Sequence, residues 1–271
     1  MNIGVFDSGL GGLSVFREIM TELPQYNYIY LGDNARVPYG GRSSDMIYQF
    51  TRDAVNFLFQ NDCQLIIIAC NTSSAIALQR LQQEYLPQNY RDRRILGVLY
   101  PVAEHIADEN IQRVGIMATR ATVASNRYPK QIKKLAPNTQ IFQVACPLLT
   151  PMIEEDEMEW EGFDLLLQRY INPLLERKID GLILGSTHYG LITDRVKKHV
   201  PGSVKIISQG EVTAKKLRKY LKRHPEIEMK LAKDSKRIYF ATDLNQRFEK
   251  LTKLFLGERF SKGVTLHLAN I

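Results

Sequence analysis

Cysteine is scarce in this chain: 271 residues carry three, Cys63, Cys70 and Cys146. An odd count argues against a disulfide framework, and the spacing matches no metal-ligand pattern, so neither cross-links nor a metal is expected. Long apolar runs are missing too. The most apolar stretch, Leu65–Ala69, is far too short to span a bilayer. Met1 runs straight into Asn2-Ile3-Gly4-Val5-Phe6 with neither a charged leader nor a long apolar segment, so no signal peptide and a cytoplasmic location are expected. The three-glycine spacing of a dinucleotide turn is not met by Gly9-Leu10-Gly11-Gly12, which excludes NAD. Aromatics are nearly absent from the most basic stretch. Residues 211–237 set ten Lys and Arg against four Asp and Glu, with Tyr220 as the lone aromatic, in a chain of net charge +7. Such a run can bind nucleic acid, but without interleaved aromatics it reads as the solvated face of a helix.

What is present is an alternation of strands and helices. Ile3–Phe6 reads as a strand, Asp7–Gly12 as a turn and Leu13–Leu23 as a helix ending before Pro24. Strands at Tyr28–Leu31 and Leu65–Ala69 and helices at Met46–Phe59 and Ser73–Tyr85 continue the alternation, which indicates a parallel α/β layer fold. The grammar then restarts. Val114-Gly115-Ile116-Met117 lies 111 positions after Ile3-Gly4-Val5-Phe6, and Gly181–Ser186 echoes Leu65–Cys70 at an offset of 116. Apolar strands resemble one another, but two matches at similar offsets point to an internal duplication. The length also suits about two domains. The expected architecture is two similar parallel-sheet α/β domains related by a pseudo-two-fold duplication, with the active site in the cleft between them. The first comprises 1–97 plus 209–271, the second 98–208. The hinge falls near Leu96–Pro101, where Tyr100-Pro101 breaks the pattern, and the return crossing near Ser208–Gly210. The remaining helix (Glu211–Lys222), strand (Arg237–Ala241) and helix (Arg247–Leu256) are expected to pack back on the first domain.

In open parallel sheets, ligands collect beyond the carboxyl ends of the strands. Four such ends carry polar or reactive residues: Asp7-Ser8, Cys70-Asn71-Thr72, Thr119 with Thr122, and Ser186-Thr187-His188. Two halves facing each other would put Cys70 and Ser186 on opposite walls of one cleft, which suits proton transfer at a stereocentre. Each residue also has a plainer reading. Asp7 could be a turn former, Cys70 plain core and His188 a satisfied core histidine. The small polar run Asn71-Thr72-Ser73-Ser74 behind Cys70 fits a helix N-terminus, which lowers a thiol's pKa and attracts anions.

The segments Asp7–Val15, Gly32–Gly40, Ala69–Thr72, Ala145–Leu148, Gly185–Tyr189, Thr242-Asp243 and Phe255–Gly257 run in the order seen in glutamate racemases. The chain thus resembles the glutamate branch of the aspartate/glutamate racemase superfamily along nearly its whole length. That resemblance implies a reaction without PLP, metal or nucleotide cofactor, in which two cysteines on opposite faces remove and return the α-proton of glutamate. Cys70 matches the first cysteine. Asp7 and His188 match residues that assist the two proton-transfer groups, and Glu154 a further acid near the second. Ser8, Tyr39, Gly40, Asn71, Thr72, Thr119, Thr122 and Thr187 match positions that hold the substrate's carboxylates and amine. The family supplies D-glutamate for bacterial peptidoglycan, and its members are often homodimers. Glutamate is the expected partner, with no membrane and no nucleic acid.

One position departs sharply. Ser186 stands where the second cysteine is expected, Gly190 where proline is usual, and Ser208-Gln209 where an Asp-Ser pair is common. A thiol has a reference pKa of about 8.5, whereas a hydroxyl works only with an activating base. Three readings follow: a variant that stalls catalysis, a racemase in which Ser186, His188 or water replaces the thiol, or a relative with one-sided decarboxylase or isomerase chemistry. A non-catalytic binder of an acidic amino acid is the reading outside enzymology. The intact substrate-holding positions favour an impaired racemase.

Overall fold

A computed structural model describes residues 1–244, 246–261 and 264–271, the side chains of 246–249 excepted. Among the described residues the strands, in chain order, are β1 (Asn2–Asp7), β2 (Tyr28–Gly32), β3 (Cys63–Ile68), β4 (Arg94–Gly97), β5 (Arg113–Ala118), β6 (Gln140–Ala145), β7 (Gly181–Gly185), β8 (Lys205–Ile207), β9 (Arg237–Ala241) and β10 (Leu266–Leu268). They form two sheets, ordered β10-β9-β2-β1-β3-β4 and β6-β5-β7-β8, in which every pairing is parallel. Both β1 and β3 are buried on two faces. Ile3, Val5, Leu65 and Ile67 enter one apolar cluster, while Phe6, Ile66 and Ile68 enter another across the sheet. This is the period-two pattern of a strand covered by helices on both sides, and it explains why these segments read as unbroken apolar runs.

The duplication is visible in the strand order. The sequence β2-β1-β3-β4 in one sheet recurs as β6-β5-β7-β8 in the other. Register repeats as well: Ile3 pairs with Leu65, and Val114 with Gly181. These are the positions that the two sequence offsets bring into correspondence. The first cluster runs without a break from Ile3 and Val5 through the helix Gly12–Glu22 to Val114, Ile116 and Ile183, so the two sheets share one continuous core.

The C-terminal strand Arg237–Ala241 returns to the first sheet, where β9 pairs with β2 along Tyr28↔Arg237 to Gly32↔Ala241. Tyr100-Pro101 does not break the pattern as expected. Both lie in the first turn of the helix Leu99–Asp108, where a proline's missing N–H costs no helical hydrogen bond. The helix expected over Ser73–Tyr85 starts earlier, at Asn71, and its turns continue through a wider π segment at Leu81–Tyr85 to Asn89. Half of the Lys and Arg residues of the basic helix Gln209–Arg223 are in ion pairs. Lys215 pairs with Glu211, Lys216 with Glu104 and Asp108, and Arg218 with Glu22. Among the described residues no helix is long and apolar enough to cross a membrane.

Candidate active site

Each polar strand end named from sequence sits at the carboxyl end of a central strand. Asp7 closes β1, Cys70 follows β3 by two residues, and Thr119 and Ser186 come directly after β5 and β7. Parallel strands place these ends on one side of each sheet, and hydrogen bonds between the halves show that the two sides meet. Thr72 Oγ1 lies 3.0 Å from Thr119 Oγ1 and 3.4 Å from Thr122 Oγ1. Ser14 donates to the Thr187 carbonyl at 2.9 Å, and Thr187 Oγ1 donates to Asp7 Oδ1 at 3.5 Å. At Gly40 a Cβ would be crowded, standing 3.0 Å from that of Thr119, so a side chain there needs Thr119 to give way.

Cys70 caps the helix Asn71–Ile76, its sulfur accepting the Ser73 N–H at 3.4 Å, and it contacts Ser8 Oγ at 3.2 Å. The expected lowering of its pKa by the helix start does not prevail. Burial and the Asp7 carboxylate push the thiol above its ordinary value, and the Ser73 and Ser8 contacts offset only part of that. These surroundings favour the neutral thiol. Asp7 is itself fully buried and pushed up by desolvation, against which work the charge of His188 and the N–H groups of Gly12 and Gly9. Gly12 is required there: a Cβ would lie 2.3 Å from that of Asp7.

The second wall is built differently. Ser186 is buried, and unlike Cys70 and Thr119 it makes no capping bond to the turn behind it. His188 follows in that turn, with Nε2 at 2.9 Å from Glu154 Oε1 and its ring edge-on to Phe255 at 5.5 Å. Gly11 makes room for it, because a Cβ there would sit 2.6 Å from His188 Nδ1. His188 and Glu154 line a cavity of ≈ 180 Å³ together with Leu10, Val37 and Phe255. Ser186 lines another of ≈ 220 Å³ with Gly190, Ser208 and Gln209, so all the departures from the family pattern border one space.

Two expected substrate-holding side chains are fixed by protein partners. The hydroxyl of Tyr39 donates to Asp33, a fully buried carboxylate that also takes Arg36 Nε at 2.6 Å and Thr242 Oγ1 at 2.9 Å. Asn71 is held by Gln209 and Tyr128. Sequence reading assigned no role to Asp33, Tyr128, Gln209, Ser14 or Phe255. Asp33 lies inside the motif Gly32–Gly40 and carried a local signal. Gln209 was marked only as part of the departure at Ser208-Gln209, and Tyr128 carried no signal, since their partner is far away in sequence.

Residues 3–217 match the Asp/Glu/hydantoin racemase family. A glutamate racemase of Aquifex aeolicus is 36% identical over 267 residues, which covers 98% of each chain. Another, from Persephonella marina, is 37% identical over 258 residues, covering 95% of this chain and 94% of that one. Among solved structures, glutamate racemase of Francisella tularensis in complex with D-glutamate superimposes with a TM-score of 0.88 at 32% identity, covering 99% of this chain and 97% of that one. The Escherichia coli enzyme with L-glutamate and the activator UDP-MurNAc-Ala gives 0.75 at 26% identity, over 99% and 98% of the two chains. Sheet order, paired strand ends and these similarities agree: the chain belongs to the Asp/Glu/hydantoin racemase family and is a racemase of its glutamate branch.

Proposed function

We propose that this chain interconverts D- and L-glutamate by transferring the α-proton between two faces of one cleft, without a cofactor, and that the Ser186 face is slow. The observation that carries the reading is Cys70 buried at a strand end against Ser8 and under the influence of Asp7, the carboxylate that Thr187, next to Ser186 and His188, reaches from the other half. Burial and Asp7 favour the thiol form of Cys70. A bound substrate ammonium beside it favours the thiolate, because a nearby opposite charge stabilises the ionised form. The thiolate removes the α-proton of D-glutamate and becomes a thiol, leaving a planar carbanion. Return of a proton to the other side gives the L-form. A hydroxyl at Ser186 is a poor donor there, and His188, held by Glu154, is the group next to it that can hold a proton.

Asp7 assists Cys70 and His188 assists the Ser186 face. Ser8, Tyr39, Gly40, Asn71, Thr72, Thr119, Thr122 and Thr187 hold the carboxylates and amine. We assign 1–97 with 209–271 to one domain and 98–208 to the other, in keeping with the membership of the two sheets. The product serves peptidoglycan synthesis in the bacterial cytoplasm, and two copies form a homodimer. Ser186 favours a second reading, a one-sided single-cysteine enzyme of decarboxylase or isomerase type.

The test is NMR of D- and L-glutamate, each incubated with the protein in D₂O, following the α-proton signal and the optical rotation. Exchange of D-glutamate with little inversion is the expected result. Exchange of neither enantiomer refutes the racemase reading.

A further inference from the structure

Cys70 is followed by Asn71, and the Asn71 carboxamide sits in a buried network that joins both halves of the molecule. Asn71 Nδ2 donates to Gln209 Oε1 at 2.7 Å, and Gln209 Nε2 returns a hydrogen bond to Asn71 Oδ1 at 2.6 Å. Tyr128 OH donates to the same Asn71 oxygen at 2.8 Å and is itself in contact with Gln209 Nε2. Asn71 opens a helix behind β3, Tyr128 lies on the helix Arg127–Leu135 beside the second sheet, and Gln209 begins the helix that carries the chain back to the first. All three side chains are buried.

A carboxamide has two N–H donors and an oxygen with two lone pairs. Here both lone pairs and one donor of Asn71 are committed, so the oxygen faces the Tyr128 hydroxyl and one Nδ2 proton remains. In this orientation the oxygen is filled by Gln209 and Tyr128, and the remaining N–H can donate to a carboxylate.

We propose that Gln209 is a positioning residue for substrate recognition: together with Tyr128 it locks the Asn71 carboxamide across the two halves, so that Asn71 meets the substrate as a donor to a carboxylate. The substrate part of this inference rests on the proposed function; the lock does not.

The variant Gln209→Met fills similar space and offers no hydrogen bond. In nitrogen-edited NMR of the ligand-free parent, the Asn71 side-chain amide proton donated to Gln209 is expected to be protected from solvent exchange, and in Gln209→Met to lose that protection. For D-glutamate in D₂O, the variant is expected to raise KM about tenfold, the worth of one hydrogen bond to a charged group, at unchanged kcat. That penalty should vanish in an Asn71→Ala background, because Gln209 acts through Asn71. An equal penalty in both backgrounds, or an unchanged KM with a lowered melting temperature, makes Gln209 a packing residue and overturns the proposal. An unprotected Asn71 amide in the parent overturns the lock itself. A protected amide in a parent that binds neither enantiomer supports the lock and refutes the glutamate reading alone. Should Gln209→Met fail to fold, Tyr128→Phe keeps the ring and removes one of the two donors to Asn71, with the same expected direction and a smaller rise in KM.

Discussion

Replacing Ser186 by cysteine tests the reaction most directly. A well-matched acid–base group is worth about 10²–10⁴ in rate. At about 1.36 kcal/mol per factor of ten, that is about 2.7–5.4 kcal/mol off the barrier of the step on that face. The site can accept the larger sulfur. Ser186 borders the cavity of ≈ 220 Å³ and has no capping bond to lose. Substrate affinity should hold, because Thr72, Thr119 and Thr122 are tied to one another rather than to Ser186. The assay is circular dichroism of racemisation from each enantiomer, with KM and kcat taken separately. The expected outcome is a rise in kcat of at least a hundredfold from both directions, with KM changed by less than about threefold. A folded Ser186→Cys protein that binds glutamate and racemises no faster than its parent would show that the second face is not where the limitation lies.

Other perturbations follow from the same geometry. Asp7 is raised by burial, so its favourable contribution to stability is complete below its unfolded pKa of about 3.9 and is lost as pH rises through the folded value. Asp7→Asn is therefore expected to raise the melting temperature at pH 7 and to change it little at pH 4; equal shifts at both would refute the argument. The same variant removes the charge that raises Cys70, so the rising limb of D-glutamate exchange should move to lower pH. In the parent that limb should climb through neutrality, as the thiolate fraction grows. Gly11→Ala drives a methyl to within 2.6 Å of His188 Nδ1 and should displace His188 from Glu154, at a cost of about 1–3 kcal/mol by denaturant titration, with the Ser186-face step slowed most. Asp33→Ala leaves the Arg36 guanidinium and the Tyr39 hydroxyl without their shared carboxylate, and a loss of about 3–5 kcal/mol is expected; a loss under about 1 kcal/mol would mean that solvent replaces it.

Much of this protein was legible in one dimension because its determinants are local. Ile3–Phe6 and Leu65–Ala69 read as strands since both faces of each are buried, which leaves no polar residue to interrupt them. The duplication followed from two offsets, and the repeated register of β1 on β3 and β5 on β7 is the three-dimensional form of the same correspondence. The racemase family was carried by short motifs at strand ends, where parallel strands put chemistry by default. Tyr100-Pro101 misled because proline stops a helix only from its interior, and the sequence does not mark where the helix begins.

What tertiary structure alone decided concerns burial and long-range partners. The run behind Cys70 suggests an acidified thiol, yet desolvation and Asp7, brought alongside by the pairing of β1 with β3, raise it instead. The Tyr39 hydroxyl and the Asn71 carboxamide both carried the mark of substrate contacts, and the fold ties the first to Asp33 and fixes the second with Gln209 and Tyr128, leaving one Nδ2 proton uncommitted. Asn71 and Gln209 are 138 residues apart, so nothing local records that they touch. A side chain's chemistry is written at its own position; its pKa and its free hydrogen-bonding groups belong to whatever the fold packs against it.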